Sequence, residues 1–148
     1  MRALIQRVKE AQVLVNGMIQ GKVGRGMLIF LGVTHDDSAA SALYLAQRCG
    51  NLRMFEDDDG KMDLSVKDVH GEALVVSQFT LYGDTRKGNR PSFIEAAAPD
   101  IAEEMYEEFV RSLRVEMGDQ HVATGVFRAM MDVHLVNDGP VTLMIMSK

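Results

Sequence analysis

Cysteine is nearly absent from this sequence, since Cys49 is the single one among 148 residues. A lone thiol cannot form an internal disulfide, and a chain without disulfides is typical of a reducing compartment. Charged residues interrupt the apolar ones at the start of the sequence, which therefore lacks the continuous apolar stretch of a secretory signal. We therefore expect a cytoplasmic protein.

Long hydrophobic runs and an excess of positive charge are also missing. The longest apolar run, residues 27–33, is far below the ~18 residues that span a bilayer, and it predicts a buried strand instead. Lysine and arginine number 16 against 21 aspartates and glutamates, which leaves a net charge of −5. This balance argues against a membrane partner or a broadly basic coat for long nucleic acids, but it is compatible with a local basic patch.

Sequence patterns for metal sites and for an activated serine are missing as well. The four histidines lie far apart, and no paired cysteines accompany them. Residues 56–60 are acidic but fail the EF-hand pattern, because Phe55 and Val66 would occupy positions that need oxygen ligands. Ser77 lacks the flanking glycines of an α/β-hydrolase elbow. We expect neither a metal nor a cofactor, and we interpret residues 56–60 as a charged turn.

The pattern of apolar residues predicts one compact α/β domain over residues 1–148. Helical spacing and capping residues predict one helix that begins after residues 36–38 and ends at Gly50, and a second from Pro99 to Gly118. The predicted strands are residues 3–15, 18–23, 27–33, 74–80, 122–124, 130–136 and 141–146, with a tight turn at Asn16-Gly17. So many strands with two main helices indicate a largely antiparallel or mixed sheet.

Two segments have compositions that suggest a function. In the first, a predicted apolar strand runs into a basic loop, and the residues of interest are Ser77, Gln78, Phe79, Thr80, Arg86, Lys87, Arg90 and Phe93. Cations hold phosphates and aromatic rings stack on bases, so this segment is a candidate for contacts with RNA. A solvated basic loop without any ligand would have the same composition.

The second segment is residues 137–142, which read Asn-Asp-Gly-Pro-Val-Thr between two predicted strands. Glycine and proline are common in turns, so a hairpin turn is the simplest interpretation. An X-Pro bond is cis in only about 5–6% of cases, and the spacing does not establish a cis bond at Gly139-Pro140.

Together these segments make the sequence closely similar to the D-aminoacyl-tRNA deacylases of the bacterial and eukaryotic type. The similarity extends over essentially the whole chain. Its motifs are Ala-Leu-Ile-Gln-Arg-Val at residues 3–8, Gly-Lys-Met at 60–62, Ser-Gln-Phe-Thr-Leu at 77–81, Arg-Pro-Ser-Phe at 90–93, Thr-Gly-Val-Phe at 124–127 and Asn-Asp-Gly-Pro-Val-Thr at 137–142. One departure is Tyr82-Gly83, where many relatives carry small residues.

The resemblance implies a barrel-like fold and hydrolysis of the ester that joins a D-amino acid to the terminal ribose of tRNA. Glycyl-tRNA, including glycine mischarged on alanine tRNA, is an expected second substrate. It further implies a homodimer in which Gly139 and Pro140, joined by a cis bond, reach into the partner's active site and reject L-amino acids. Arg7 would brace this segment, and Met131 would line the same region.

For catalysis, the resemblance implies a reaction that uses no obligatory side-chain nucleophile. Backbone N–H groups around Gln78 and Phe79 would stabilise the oxyanion, and the ribose 2′-OH would orient or activate the water. One alternative is that Thr80 acts as a covalent nucleophile and forms an acyl-enzyme.

For binding, the resemblance implies that the acceptor end of tRNA is the main partner. Ser77 and Phe93 are expected to contact the substrate, and the candidates for phosphate contacts are Arg86, Lys87 and Arg90. A non-catalytic module that binds tRNA or another nucleic acid remains an alternative, and it predicts salt-dependent affinity without turnover.

Overall fold

The computed structural model describes residues 1–147 as a mixed sheet, nearly closed into a barrel, with two main helices. The strands are β1 (Arg2–Val15), β2 (Met18–Val23), β3 (Gly26–Gly32), β4 (Phe55–Glu56), β5 (Met62–Leu64), β6 (Glu72–Ser77), β7 (Val122–Thr124) and β8 (Asp132–Met146). The helices are α1 (Ala39–Asn51) and α2 (Pro99–Met117), and short 3-10 helices occupy Phe79–Tyr82 and Asp119–His121. The predicted α/β class is confirmed.

β1 organises the sheet because it is long enough to pair with three other strands. Its first half pairs antiparallel with β3 and its second half with β2, while β8 pairs along the other edge. β3 pairs parallel with β6, and β6 pairs parallel with β7. Gly21 of β2 lies so close to β7 that a Cβ there would be 2.4 Å from the carbonyl oxygen of Thr124, which brings the two ends of the sheet together.

The main hydrophobic core lies between the sheet and the two helices. Alternate residues of β3, including Ile29 and Leu31, pack in this core with α1 and α2, while Leu28 packs in a second cluster with residues of β1, β2 and β6. Full burial of such a side chain is worth about 1.5–3 kcal/mol, so packing is the main source of helix stability here. Cys49 lies in the main core, and burial raises the pKa of its thiol to about 12.

The ends of the helices agree with the sequence in three places out of four. Ser38 is the N-cap of α1, Pro99 starts α2, and Gly118 ends α2 with a φ of 95° that favours glycine. The predicted end of α1 at Gly50 is wrong, because α1 continues to Asn51. Gly50 instead permits close packing of the two helices, since a Cβ there would lie 3.2 Å from the Cβ of Glu116 in α2.

The strand predicted at residues 74–80 ends earlier, at Ser77. Its partner β3 ends at Gly32, and the last registered pair of the two strands is Leu31 with Ser77. Without a partner strand, the chain leaves the sheet and forms the 3-10 helix Phe79–Tyr82. The functional segment therefore lies in a strand-to-helix turn and not within a strand.

Residues 130–136 and 141–146 were predicted as two strands, but the structure has one continuous strand, β8. Val8 of β1 pairs with Asn137 and Gln6 pairs with Thr142, so four residues of β8 stand opposite Arg7 alone. The interpretation of residues 137–142 as a hairpin turn is therefore wrong. This part of β8 is an irregular bulge with four residues opposite one. The missing N–H of proline does not interrupt the pairing of the strands there.

Residues 56–60 form the predicted charged turn, here between β4 and β5. The Asp57 side chain accepts hydrogen bonds from the backbone N–H groups of Asp59 at 2.9 Å and Lys61 at 3.0 Å. Within residues 1–147, no three histidine, cysteine, aspartate or glutamate side chains gather as a metal site would require. In the same part of the chain, neither helix is long and apolar enough to cross a membrane.

Candidate active site

A cavity of about 490 Å³ lies where β3 and β6 end, beside the start of α2. Its lining is mostly apolar, and four residues singled out in the sequence, Ser77, Gln78, Phe79 and Phe93, contribute to it. A concave apolar site with a few polar groups is the usual form of a small-molecule or cofactor pocket. The structure thus brings these four residues to one cavity, whereas Thr80, Arg86, Lys87 and Arg90 are not among its lining residues.

The first residues of the 3-10 helix have free backbone N–H groups next to the cavity. The N–H of Gln78 donates to the carbonyl of Leu31 at 2.8 Å, so it still belongs to the sheet. The N–H groups of Phe79 and Thr80 follow at the first two helical positions and have no acceptor within residues 1–147. The free donor pair is therefore Phe79 and Thr80, one residue later than the pair expected from sequence.

The hydroxyl of Thr80 has an amide as its neighbour. The Gln78 side-chain nitrogen donates to Thr80 Oγ1, and no carboxylate, imidazole or amine within residues 1–147 contacts this hydroxyl. A threonine nucleophile needs an adjacent general base, which an amide is not. These surroundings indicate that the Thr80 hydroxyl makes a positioning contact within the turn and is not an activated nucleophile.

Two aromatic rings stand at the cavity beside these backbone groups. Phe79 and Phe93 pack edge to face, with ring centroids 5.2 Å apart and an interplanar angle of 72°. The Phe79 side chain remains 57% exposed, which leaves ring surface free for stacking. Gly83 makes room for this pair, because a Cβ there would lie 2.9 Å from the Phe93 ring.

The basic loop of residues 84–92 is closed at its base by paired backbone hydrogen bonds between Asp84 and Ser92. Arg86 donates two side-chain hydrogen bonds to the Asp84 carboxylate, at 2.9 Å and 2.7 Å. These bonds lower the pKa of Asp84 to about 2. Lys87 and Arg90 are exposed and have no side-chain partner within residues 1–147. Lys87 and Arg90 are therefore available for the expected phosphate contacts, whereas Arg86 is already paired with Asp84.

The second functional segment is held in the β8 bulge by a buried arginine. Gly139-Pro140 is a cis peptide, and both residues are exposed. Arg7, 6% exposed, donates from Nε to the carbonyl of Asp138 at 3.2 Å and from Nη1 to the carbonyl of Met54 at 2.8 Å. A Cβ at Gly139 would lie 2.6 Å from Arg7 Nη2, so only glycine fits against this guanidinium.

The two functional segments do not meet within one chain. None of residues 137–142 lines the cavity of its own chain. Met131, expected to line the same region as Gly139-Pro140, lies just before the start of β8, and a Cβ at Gly125 would lie 2.7 Å from its sulfur. It packs on the second hydrophobic cluster.

The sequence matches one protein family over nearly its entire length. The family model described as D-Tyr-tRNA(Tyr) deacylase matches residues 4–146. The chain belongs to this family. Both functional segments, and Arg7 with them, lie inside the matched range of the D-Tyr-tRNA(Tyr) deacylase model.

Members of this family in several bacteria are similar over their full length. Proteins named D-aminoacyl-tRNA deacylase are 58% identical in Thermotoga petrophila, over 98% of this chain and 96% of that one, and 56% identical in Desulfatibacillum aliphaticivorans, over all of both chains. The solved structure of a c-Myc DNA Unwinding Element Binding Protein is 40% identical, with a TM-score of 0.95 over 100% of this chain and 99% of that chain. A structure reported as that of "a probable eukaryotic D-amino acid tRNA deacylase" is 18% identical, with a TM-score of 0.84 over 97% of each chain, and shares the fold.

Sequence reasoning missed most of the cavity wall of this family member. The residues that it did not single out include Leu31, Ala97, Ala102, Tyr106 and Arg128. The run of small residues at 96–98 was a signal for open space near the start of α2. Tyr106 gave no such signal, because its place depends on a buried hydrogen bond from its hydroxyl to the carbonyl of Val75 at 2.9 Å.

Proposed function

We propose that this protein hydrolyses the ester bond of D-aminoacyl-tRNA and releases the free D-amino acid and tRNA. Membership of the D-Tyr-tRNA(Tyr) deacylase family supports this activity. The observation that carries the proposal is the pair of free backbone N–H groups at Phe79 and Thr80 beside an apolar cavity with no activated side-chain nucleophile. Such a site suits an ester that is already reactive and needs mainly orientation and charge stabilisation.

In the proposed reaction, water attacks the ester carbonyl carbon and the carbonyl oxygen becomes an oxyanion. The N–H groups of Phe79 and Thr80 donate to this oxyanion, and each good donor is worth roughly 3–4 kcal/mol in the transition state. The ribose 2′-OH orients the water. The C–O bond then breaks, and the 3′ oxygen of the ribose leaves with a proton.

Selection of the D-amino acid is assigned to the Gly139-Pro140 segment of a partner chain in a homodimer. Because the cavity and this segment are separated within one chain, a partner's segment would complete the cavity. Its backbone carbonyls would accept hydrogen bonds from the substrate ammonium and leave no space for an L side chain. Glycine has no side chain to exclude, so glycyl-tRNA, including that mischarged on alanine tRNA, would also be hydrolysed.

The decisive test is release of amino acid from purified protein incubated with D-tyrosyl-tRNA and with L-tyrosyl-tRNA. We expect the D ester to be hydrolysed faster by at least about 100-fold, since an L side chain would clash with rigid backbone. Gly139→Ala should lower this ratio or the rate. The matched control is Gly17→Ala, which also stands at positive φ but has open space around its Cβ. Release from neither ester would remove the deacylase proposal.

A binding module for nucleic acid without catalysis is the second candidate function. The exposed Lys87 and Arg90 favour it, and the solved structure that is 40% identical is named for binding a DNA element. The same incubation separates the two candidates. A binding module would retain tRNA or DNA in a salt-dependent manner and leave both esters intact.

A further inference from the structure

One charged residue, Arg128, lines the cavity in the part of the chain that the structure describes, residues 1–147. It is exposed at the rim, and its side chain forms no ion pair or hydrogen bond in that part of the chain. Arg86, by contrast, is held by Asp84. The Arg128 guanidinium is therefore free to bind a ligand at the site where the proposed reaction takes place.

The backbone at Arg128 has an unusual conformation for an arginine. Its φ is 65°, in the left-handed region that favours glycine. The surrounding turn is well held, because the N–H of Ala129 donates to the carbonyl of Val126 at 3.2 Å and Phe127 packs against Tyr106 with ring centroids 5.8 Å apart. A costly conformation in a fixed turn beside a cavity is a reason to look for a functional role.

We propose that Arg128 binds the phosphodiester group on the 5′ side of the terminal nucleoside of aminoacyl-tRNA, an inference that rests on the proposed function. With the ester carbonyl at the N–H groups of Phe79 and Thr80, this phosphate is the nearest anion that all substrates share. A planar guanidinium presents paired N–H donors that match phosphate oxygens. The protein carries a net charge of −5, so a cation at the rim also offsets repulsion of RNA.

A carboxylate is the other anion that a substrate can bring, from the side chain of aspartate or glutamate. The phosphate is favoured because Arg128 is exposed at the rim, where the tRNA enters, and the other lining residues are uncharged. A phosphate contact would act on all aminoacyl-tRNAs alike. A carboxylate contact would act on acidic amino acids only.

The test compares wild type with Arg128→Ala, Arg128→Lys and Arg128→Gly on three substrates. These are D-tyrosyl-tRNA, D-aspartyl-tRNA and 3′-O-D-tyrosyl-adenosine, which lacks the phosphate. We expect Arg128→Ala to raise KM about tenfold for both tRNA substrates, with kcat within about twofold of wild type, and to leave KM for the adenosine ester unchanged. Arg128→Lys should restore part of the loss. Arg48→Ala is the control, because it removes an exposed cation that does not line the cavity.

Arg128→Gly excludes a merely structural explanation. Glycine suits the positive φ, so this variant should unfold at the same or a higher temperature than wild type while binding tRNA more weakly. The binding readout is the salt dependence of affinity for uncharged tRNA. Its log–log slope should become shallower by about 0.7 when one phosphate contact to a single strand is lost.

Three results would overturn the proposal. They are an unchanged KM for both tRNA substrates, an equal loss with the adenosine ester, and a loss confined to D-aspartyl-tRNA, which would point to the carboxylate. Failure of the proposed function has a different signature, because wild type would then hydrolyse no D ester. The slope for uncharged tRNA would still decide whether Arg128 contacts a phosphate.

Discussion

At the end of β6, the residues contribute to the candidate site mainly through backbone groups and less through side chains. The last sheet hydrogen bond uses the N–H of Gln78, and the next two N–H groups are free. The Gln78 side chain donates a hydrogen bond to the hydroxyl of Thr80. One hydrogen bond to Leu31 therefore decides which amides are left for an oxyanion.

Substitutions of Thr80 separate the backbone mechanism from the covalent one. If catalysis uses backbone donors, Thr80→Ser, Thr80→Ala and Thr80→Val should each keep kcat within about tenfold of wild type, since all three retain the N–H. A covalent nucleophile predicts activity in the serine variant alone and an aminoacyl adduct in single-turnover experiments. Loss of turnover in both folded variants without a hydroxyl, with tRNA binding intact, would refute the backbone mechanism.

The sequence predicted the identity of this segment but not its donors. The motif at residues 77–81 pointed to a segment whose first three residues line the cavity. The choice between the amides of Gln78 and Thr80 depends on where β3 ends, and that is a property of strand pairing. Arg128 could not be singled out for a related reason. No local sequence pattern distinguishes an exposed arginine beside a cavity from any other arginine in a turn.

Among the elements, the loop at residues 84–92 carries a charge pair within its own sequence. The hydrogen bonds of Arg86 lower the pKa of Asp84 to about 2, so the carboxylate stays ionised and paired at all pH values above about 4. Any stabilisation from this pair is lost progressively as the pH falls from about 4 through about 2. Binding of tRNA at roughly neutral pH should therefore show no titration of Asp84.

Removal of the Asp84 carboxylate should increase the net positive charge of the loop at residues 84–92. We expect Asp84→Asn to free Arg86, to tighten tRNA binding about threefold and to make its salt dependence steeper by about 0.7 in slope. Asp63→Asn is the control with the same charge change, because Asp63 pairs with the exposed Arg53 outside the loop. Equal effects of the two variants would mean that only net charge matters.

The elements that the sequence predicted best are those with a regular apolar pattern. The first hairpin has its predicted tight turn at Asn16 and Gly17, and both residues have positive φ. β8 was predicted as two strands because glycine and proline usually interrupt a strand. The bulge that keeps β8 continuous depends on its pairing with Arg7, about 130 residues away in the chain, and no local pattern encodes that partner.

At the scale of the whole molecule, the cavity and the Gly139-Pro140 bulge lie at separate places. The proposed homodimer would join them twice by symmetry, each chain giving a cavity to its partner and receiving a bulge. The sequence alone supplied this arrangement only through the family resemblance. No periodicity or spacing predicts which surface of a chain meets a second copy.

Mixed dimers test whether each active site is built from two chains. One variant, Ala102→Phe, fills the cavity, and the other, Gly139→Ala with Pro140→Ala, removes the selecting segment. Each should be inactive or unselective alone. Co-expressed and co-purified chains should regain about a quarter of wild-type activity on D-tyrosyl-tRNA, since half of the dimers would contain one intact site of two. Recovery no greater than the sum of the separate variants would contradict a shared site.

The burial of Cys49 has a consequence for the response of this protein to oxidants. Thiolates are the form of cysteine that peroxides attack, and burial in the core raises the pKa of this thiol to about 12. Oxidation should fall instead on exposed methionines such as Met130 and Met18, which lie outside the cavity lining. Because the proposed chemistry uses no sulfur, translation quality control of this kind would continue under peroxide stress that silences thiol-dependent enzymes.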